Sequence, residues 1–262
     1  MGNELNAFEK YLFNGGEIHY HGEGGNVRSF VDMLEPQNIH VNRDAPDMYI
    51  QKGDTVVIVE HFEFDSYKAT KKGSEHRQEL ARIRRKEDSL LPTEAGVRLH
   101  EEIQGVSSYE NYLSNVTRSF NEHYAHIDLY IENLKKEGVI TDSSTVKVLF
   151  FAEDVSPLGT VVIQQDDDAS GIMMVTLSDC KEFLDLLSKS CRVDYVLACS
   201  SYNNEWLVWF IDQSELETYY DHVIEYSTLQ FLHFKPQVIS YKMLLPDNQL
   251  NEQSQKEISE IQ

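Results

Sequence analysis

Residues 46–66, PDMYIQKGDTVVIVEHFEFDS, set the architecture of this chain. Two apolar runs flank Lys52-Gly53-Asp54, a tripeptide with hairpin turn chemistry, so the stretch predicts two antiparallel strands. The second run, Val56 to Val59, is apolar on both faces, which predicts a strand at the centre of its sheet. Carboxylates follow this strand directly, at Glu60 and Glu63. Two interpretations explain these carboxylates. They form part of an acidic surface at the end of a strand, or they form a site that binds a metal ion.

The remaining sequence predicts an α/β fold. Helical patterns precede the hairpin and follow it, and the strand patterns TVKVLFFAED, VDYVLACS and EWLVWFID alternate with one further helix. This order predicts a mixed central β-sheet flanked by helices on both faces. We expect one domain over residues 1–245, with a helical insertion at about 93–138, and a polar C-terminal tail over 246–262.

Composition limits the class of protein. Hydrophobic residues make up 41% of the 262 residues, which is enough for a large core, and no apolar run approaches the ~20 residues of a membrane span. The sequence begins without a secretory leader pattern. The three cysteines, Cys180, Cys191 and Cys199, include no Cys-x-x-Cys pair, which argues against a disulfide framework and a zinc ribbon. We therefore expect a cytoplasmic protein that does not contact a membrane.

The net charge of −21 is strongly acidic. Such a charge repels nucleic acid at long range and weighs against a protein that simply coats DNA. It leaves open an enzyme that binds nucleic acid through metal ions and a local basic patch.

The spacing of Asp47 and Glu60 brings two carboxylates together. Asp47 lies six residues before Gly53 and Glu60 lies seven after it, so the two stand nearly opposite each other in the hairpin. Two such carboxylates can share Mg²⁺, which prefers oxygen ligands and usually takes one or two protein carboxylates. Solvated strand ends remain the alternative interpretation.

Pro46-Asp47, the spacer and the run VVIVE ending at Glu60 resemble the PD-(D/E)XK, or restriction-endonuclease-like, nuclease superfamily. The resemblance implies a restriction-endonuclease-like fold and an endonuclease or exonuclease that hydrolyses phosphodiester bonds in DNA or RNA. It also implies a Mg²⁺ or Mn²⁺ ion held by Asp47 and Glu60. A homodimer is compatible with this assignment.

The sequence departs from the family pattern at Phe62, where the family has its lysine. Glu60 and Phe62 point to the same face of the strand, so the aromatic side chain stands in the lysine's place. Nearby candidates for a relocated catalytic lysine are Lys68, Lys71 and Lys72. An acid from the first helix also often joins the site in this family, and Glu9 and Glu17 are both candidates.

The segment from Lys68 to Lys86 is basic within an acidic chain. It has eight basic and two acidic residues, a net charge of +6, so the remainder carries −27. Ser74 is expected to cap the helix in this segment, and its arginines are expected to bind nucleic-acid phosphates. These residues are Arg77, Arg82, Arg84 and Arg85. A solvated helix that forms ion pairs with acidic neighbours explains the same pattern.

Phe62 also favours a second hypothesis, a catalytically degenerate nuclease fold that acts as a protein-interaction module. Its acidic surface would then face a basic protein partner. The histidine pairs His19 and His21, and His123 and His126, lack a recognisable metal motif. They are interpreted as surface or packing residues.

Overall fold

The computed structural model describes most of the chain. The described ranges are 3–13, 17–42, 45–71, 73–90, 98–102, 107–156, 160–166, 169–202, 205–231 and 237–241. Lys72 and the predicted polar tail at 246–262 lie outside these ranges.

The described residues contain seven α-helices. They are α1 (Asn3–Leu12), α2 (Gly25–Val31), α3 (Glu75–Leu90), α4 (Tyr109–Tyr124), α5 (Ile127–Lys136), α6 (Lys181–Ser188) and α7 (Leu216–Tyr220). Ser108 caps α4, because its side chain accepts a hydrogen bond from the backbone N–H of Asn111. The acidic and polar outer faces and the apolar inner faces of α4 and α5 are typical of helices packed on a sheet.

Fourteen strands accompany these helices in the described ranges. They are β1 (Ile18–His19), β2 (Ile39–Val41), β3 (Met48–Lys52), β4 (Thr55–Phe64), β5 (Ala69–Thr70), β6 (Gly73–Ser74), β7 (Arg98–Glu102), β8 (Thr145–Asp154), β9 (Val161–Asp166), β10 (Ala169–Met174), β11 (Tyr195–Tyr202), β12 (Glu205–Asp212), β13 (Gln230–Phe231) and β14 (Gln237–Tyr241).

The chain divides into two compact units. The first consists of Met1–Ala69 and Val106–Phe234, and the second of Thr70–Gly105 and Lys235–Gln262. Helix α3 belongs to the second unit, as do strands β7 and β14, which pair antiparallel with Arg98 opposite Tyr241.

A seven-stranded mixed sheet forms the centre of the first unit, in the order β1-β12-β11-β8-β4-β3-β2. Strands β4, β8 and β11 are parallel neighbours, and β2, β3 and β4 form an antiparallel meander. The prediction of a mixed sheet flanked by helices is confirmed. So is the central position of β4, since it lies between β3 and β8.

Each face of this sheet carries its own hydrophobic core. On one face, Val56 and Ile58 pack with buried side chains of α4, α5, α6 and α7, among them Phe120 and Leu134. On the other face, Val57 belongs to a second core with side chains of α1 and α2. Because β4 alternates its side chains between the two cores, both faces of the predicted apolar run are buried.

Two elements differ from the sequence prediction. The stretch at about 93–138 was predicted to be helical, but Arg98–Glu102 forms β7, since pairing with the distant β14 satisfies its backbone. Helices α4 and α5 from the same stretch pack on the central sheet of the first unit. Strands β9 and β10 form an antiparallel hairpin that the sequence analysis did not predict. Within the described ranges, none of the helices combines the length and apolar character needed to cross a membrane.

Candidate functional site

Asp47 and Glu60 lie side by side at the open end of the β3–β4 hairpin. The hairpin register pairs Lys52 with Thr55 and Met48 with Val59, so one further step places Asp47 across from Glu60. The backbone N–H of Asp47 donates to Oε2 of Glu60 at 3.2 Å. The N–H of His61 donates to Oδ2 of Asp47 at 2.9 Å. The proximity predicted from the spacing is confirmed.

Glu60 is buried and fixed by donors from two helices. Its side chain lies beneath α4 and α5, where the Tyr130 hydroxyl donates to Oε1 at 2.9 Å. Nδ1 of His123 lies 3.0 Å from the same oxygen. Burial, followed by the charge of Glu60, raises the pKa of Tyr130, so the phenol stays protonated and acts as a donor.

Phe62 occupies the position where the family pattern has lysine. Its side chain is only 4% exposed and belongs to the core beneath α4. The ring of His123 lies almost parallel to that of Phe62, with 5.3 Å between centroids. The space next to Glu60 on this face is therefore filled by two aromatic rings.

No lysine contacts Glu60 among the described residues. Its hydrogen-bond partners there are Tyr130, His123 and the N–H of Asp47. Lys68 is exposed in the first unit beyond the end of β4, and Lys71 is exposed in the second unit. The structure therefore does not identify a lysine that replaces the family residue.

The predicted phosphate-binding arginines lie on α3. Arg77, Arg82, Arg84 and Arg85 are all exposed. Ser74 caps this helix as predicted, since its Oγ accepts a hydrogen bond from the N–H of Arg77 at 3.2 Å. Arg82 forms an ion pair with Glu79 at 3.0 Å, one turn away, so part of the segment is neutralised locally.

The first helix contributes a lysine on the opposite face of the sheet. Nζ of Lys10 in α1 lies 3.3 Å from Oε1 of Glu153, the residue before the last one of β8. Nε2 of His61 lies 3.1 Å from Oε2 of the same carboxylate. Glu9 and Glu17, the predicted first-helix candidates, are both exposed.

Glu153 is a buried carboxylate that is not among the site residues predicted from the sequence. Burial by itself raises its pKa, but the hydrogen bond from His61 and the charge of Lys10 outweigh this, and the pKa is lowered. A signal was present in the sequence. TVKVLFFAED ends in acids after an apolar run, as TVVIVEHFEF does.

The histidines near the N-terminus pack with aromatic rings. His21 stacks on His222 with 4.0 Å between ring centroids, and His19 lies 5.3 Å from Trp209 by the same measure. Their interpretation as packing residues agrees with these contacts.

The donor set at Asp47 and Glu60 is suited to a hard divalent cation. Two carboxylates are the usual protein contribution to a Mg²⁺ site, and water and phosphate oxygens complete the coordination. Among the described residues, Oε2 of Glu60 accepts one hydrogen bond, from the backbone N–H of Asp47, and a carboxylate oxygen can accept about two. In the part of the chain that the structure describes, no three His, Cys, Asp or Glu side chains are grouped to hold a metal ion.

The candidate site thus consists of two neighbouring acidic residues, and Tyr130 and His123 hold the carboxylate of one of them. No protein-family model matches the chain, no curated protein matches it, and no solved structure matches it.

Proposed function

We propose that this chain is a nuclease that hydrolyses phosphodiester bonds in DNA or RNA, with Mg²⁺ or Mn²⁺, at the Asp47–Glu60 site. The observation that carries the proposal is the juxtaposition of these carboxylates across the end of the β3–β4 hairpin. The site lies at the open end of a three-stranded meander whose strand β4 has the parallel neighbour β8, and this α/β arrangement is compatible with the proposal.

In this reaction, a water oxygen bonds to phosphorus as the bond between phosphorus and the leaving oxygen breaks. One proton of the water ends on the leaving oxygen. Asp47 and Glu60 would hold the metal ion, which supplies a more acidic water and neutralises charge on the phosphate. The exposed arginines of α3 would bind phosphates of the nucleic acid. Lys68, which belongs to the same unit as the two carboxylates, is the candidate for a lysine that acts with Asp47 and Glu60.

The test is a cleavage assay on single-stranded and double-stranded DNA and RNA, with Mg²⁺ and with Mn²⁺. We expect Asp47→Asn and Glu60→Gln to lower the cleavage rate by about 100-fold or more, because each removes a charged metal ligand. Glu63→Gln is the matched control, since Glu63 is an exposed acid of the same strand on the other face. Equal loss in all three variants would contradict the site.

A second function is favoured by a specific observation, the burial of Phe62 where the family has lysine. A degenerate nuclease fold would retain Asp47 and Glu60 for their hydrogen bonds and act by binding a basic protein. The cleavage assay separates the two functions. If wild-type protein and both variants are equally folded and none cleaves any substrate, the interaction module replaces the nuclease.

A further inference from the structure

The side chains that hold Glu60 come from α4 and α5, which lie outside the hairpin motif. We propose that Tyr130 and His123 are positioning residues that orient Glu60 for metal binding. This inference rests on the proposed nuclease site. It adds two residues that the sequence motif does not contain.

The two oxygens of the Glu60 carboxylate differ in how many hydrogen bonds they accept. Each carboxylate oxygen accepts up to about two hydrogen bonds. The hydroxyl of Tyr130 and Nδ1 of His123 both contact Oε1 of Glu60, at 2.9 and 3.0 Å, and so occupy that oxygen. Within the part of the chain that the structure describes, Oε2 accepts a hydrogen bond from the N–H of Asp47 alone. The two helices therefore hold Oε1, and the less occupied Oε2 lies on the side of the Asp47 backbone.

The two donors are themselves held on packed elements. Tyr130 is 2% exposed, and its helix belongs to the core beneath the sheet. The ring of His123 rests on Phe62, so the aromatic residue at the lysine position supports a donor to Glu60. Donors on packed helices fix a ligand more closely than donors on loops.

A purely structural role for these side chains makes a different prediction. If Tyr130 and His123 only fill space or satisfy a buried carboxylate, their replacement lowers stability and leaves metal affinity unchanged. If they orient Glu60, metal affinity falls, since hydrogen-bond partners of metal ligands typically contribute 10- to 100-fold to affinity. Metal binding therefore separates the two roles without reference to catalysis.

The experiment measures the Kd of Mn²⁺ for the full chain by calorimetry and by the electron paramagnetic resonance signal of free Mn²⁺. Tyr130→Phe removes only the hydroxyl, and we expect it to raise the Kd by about 10- to 100-fold. His123→Leu should do the same. His123→Asn keeps an N–H donor near the position of Nδ1 and should restore most of the affinity.

Tyr219→Phe is the matched control, because Tyr219 is as deeply buried but its hydroxyl donates to the carbonyl oxygen of Phe210. Asp47→Asn should abolish binding and thereby locate the ion. Thermal unfolding of each variant verifies folding. If Tyr130→Phe does not fold, the partly exposed His123 carries the same test.

The outcomes distinguish the inference from the proposed function. Weaker binding in Tyr130→Phe and His123→Leu, with Tyr219→Phe unchanged, supports the positioning role. Wild-type affinity in both variants, with binding still lost in Asp47→Asn, overturns that role and leaves the metal site standing. If wild-type protein binds no Mn²⁺, or binds it equally in Asp47→Asn, the proposed site and the inference both fail.

Discussion

Glu60 and Glu153 show how a buried carboxylate is stabilised at the end of a strand. They lie on neighbouring parallel strands but face opposite cores, and each is surrounded by donors. Burying a charge is unfavourable unless such partners compensate for the lost water. At Glu60 the donors come from two helices beside the hairpin, whereas at Glu153 a lysine and a histidine compensate for its charge.

Glu153→Gln is expected to destabilise the first unit. The change removes the negative charge that Lys10 and His61 contact, and we expect the free energy of unfolding to fall by roughly 2 kcal/mol at neutral pH. Chemical denaturation measures this difference. Glu9→Gln, on the exposed side of α1, is the control and should have little effect.

The same variant tests the pH dependence. Because the pKa of Glu153 is lowered in the folded protein, its stabilisation is complete above the ordinary value of 4.5 and is lost as pH falls through the lower folded value. The stability difference between wild type and Glu153→Gln should therefore shrink on acidification below pH 4.5. A difference that stays constant down to the acid transition would contradict this assignment.

At the scale of elements, Asn115 joins α4 to the chain that leaves β4. Its side-chain amide donates to the carbonyl oxygens of Asp65 and Tyr67, at 2.8 and 2.7 Å. Asn115, Asp65 and Tyr67 are all buried. Removal of the Asn115 amide would therefore leave two buried carbonyl groups without this hydrogen-bond donor and without water.

Asn115→Ala is expected to lower the free energy of unfolding by roughly 2–4 kcal/mol, as each buried carbonyl loses a partner. Asn121→Ala, at an exposed position of the same helix, is the matched control and should change it by less than about 0.5 kcal/mol. Thermal and chemical unfolding measure both. Equal effects at the two positions would contradict a specific role for the hydrogen bonds of Asn115 to Asp65 and Tyr67.

The elements that the sequence predicts well are those with local signals. The β3–β4 hairpin follows from its turn tripeptide and its two apolar runs, and its register follows from counting residues about Gly53. The segment that forms β7 lies in a stretch with a helical sequence pattern. It forms a strand because it pairs with β14, more than 130 residues further along the chain. Pairing over such a separation leaves no local pattern.

At the scale of the whole molecule, the net negative charge belongs to the first unit, because the second unit has eleven basic and eleven acidic residues. The net charge is −21, yet the exposed arginines of α3 lie together in the second unit. We expect nucleic-acid binding by the full chain to weaken steeply with salt, since phosphate contacts release counterions.

The double variant Arg84→Glu/Arg85→Glu should reduce binding of a DNA or RNA oligonucleotide and lower the slope of affinity against salt by about one per lost phosphate contact. Lys135→Glu/Lys136→Glu carries the same charge change on exposed positions of α5 and is the matched control. Fluorescence anisotropy over a salt series measures both. Equal losses in the two variants would indicate a dependence on net charge alone.

The candidate site was predictable only in part, for a reason that concerns the whole chain. Asp47 and Glu60 are 13 residues apart and belong to one hairpin, so their spacing alone places them together. Tyr130 reaches Glu60 from 70 residues away, and Lys10 reaches Glu153 from 143. Such contacts are made by tertiary packing, and nothing in the local sequence marks them.

The two edge strands of the central sheet are very short, and this affects how the protein can bind other chains. Its outermost strands are β1, with two residues, and β2, with three, whereas the interior strands β4 and β8 have ten each. An incoming strand would find only three residues of edge strand at the β2 border, whereas at the other border β1 pairs with only Val208 and Trp209 of the eight residues of β12. The apolar runs most prone to form amyloid-like stacks are thus kept inside the sheet. A partner that binds at the β2 border would then recognise side chains on the surface of the first unit, because this border offers little room for strand addition.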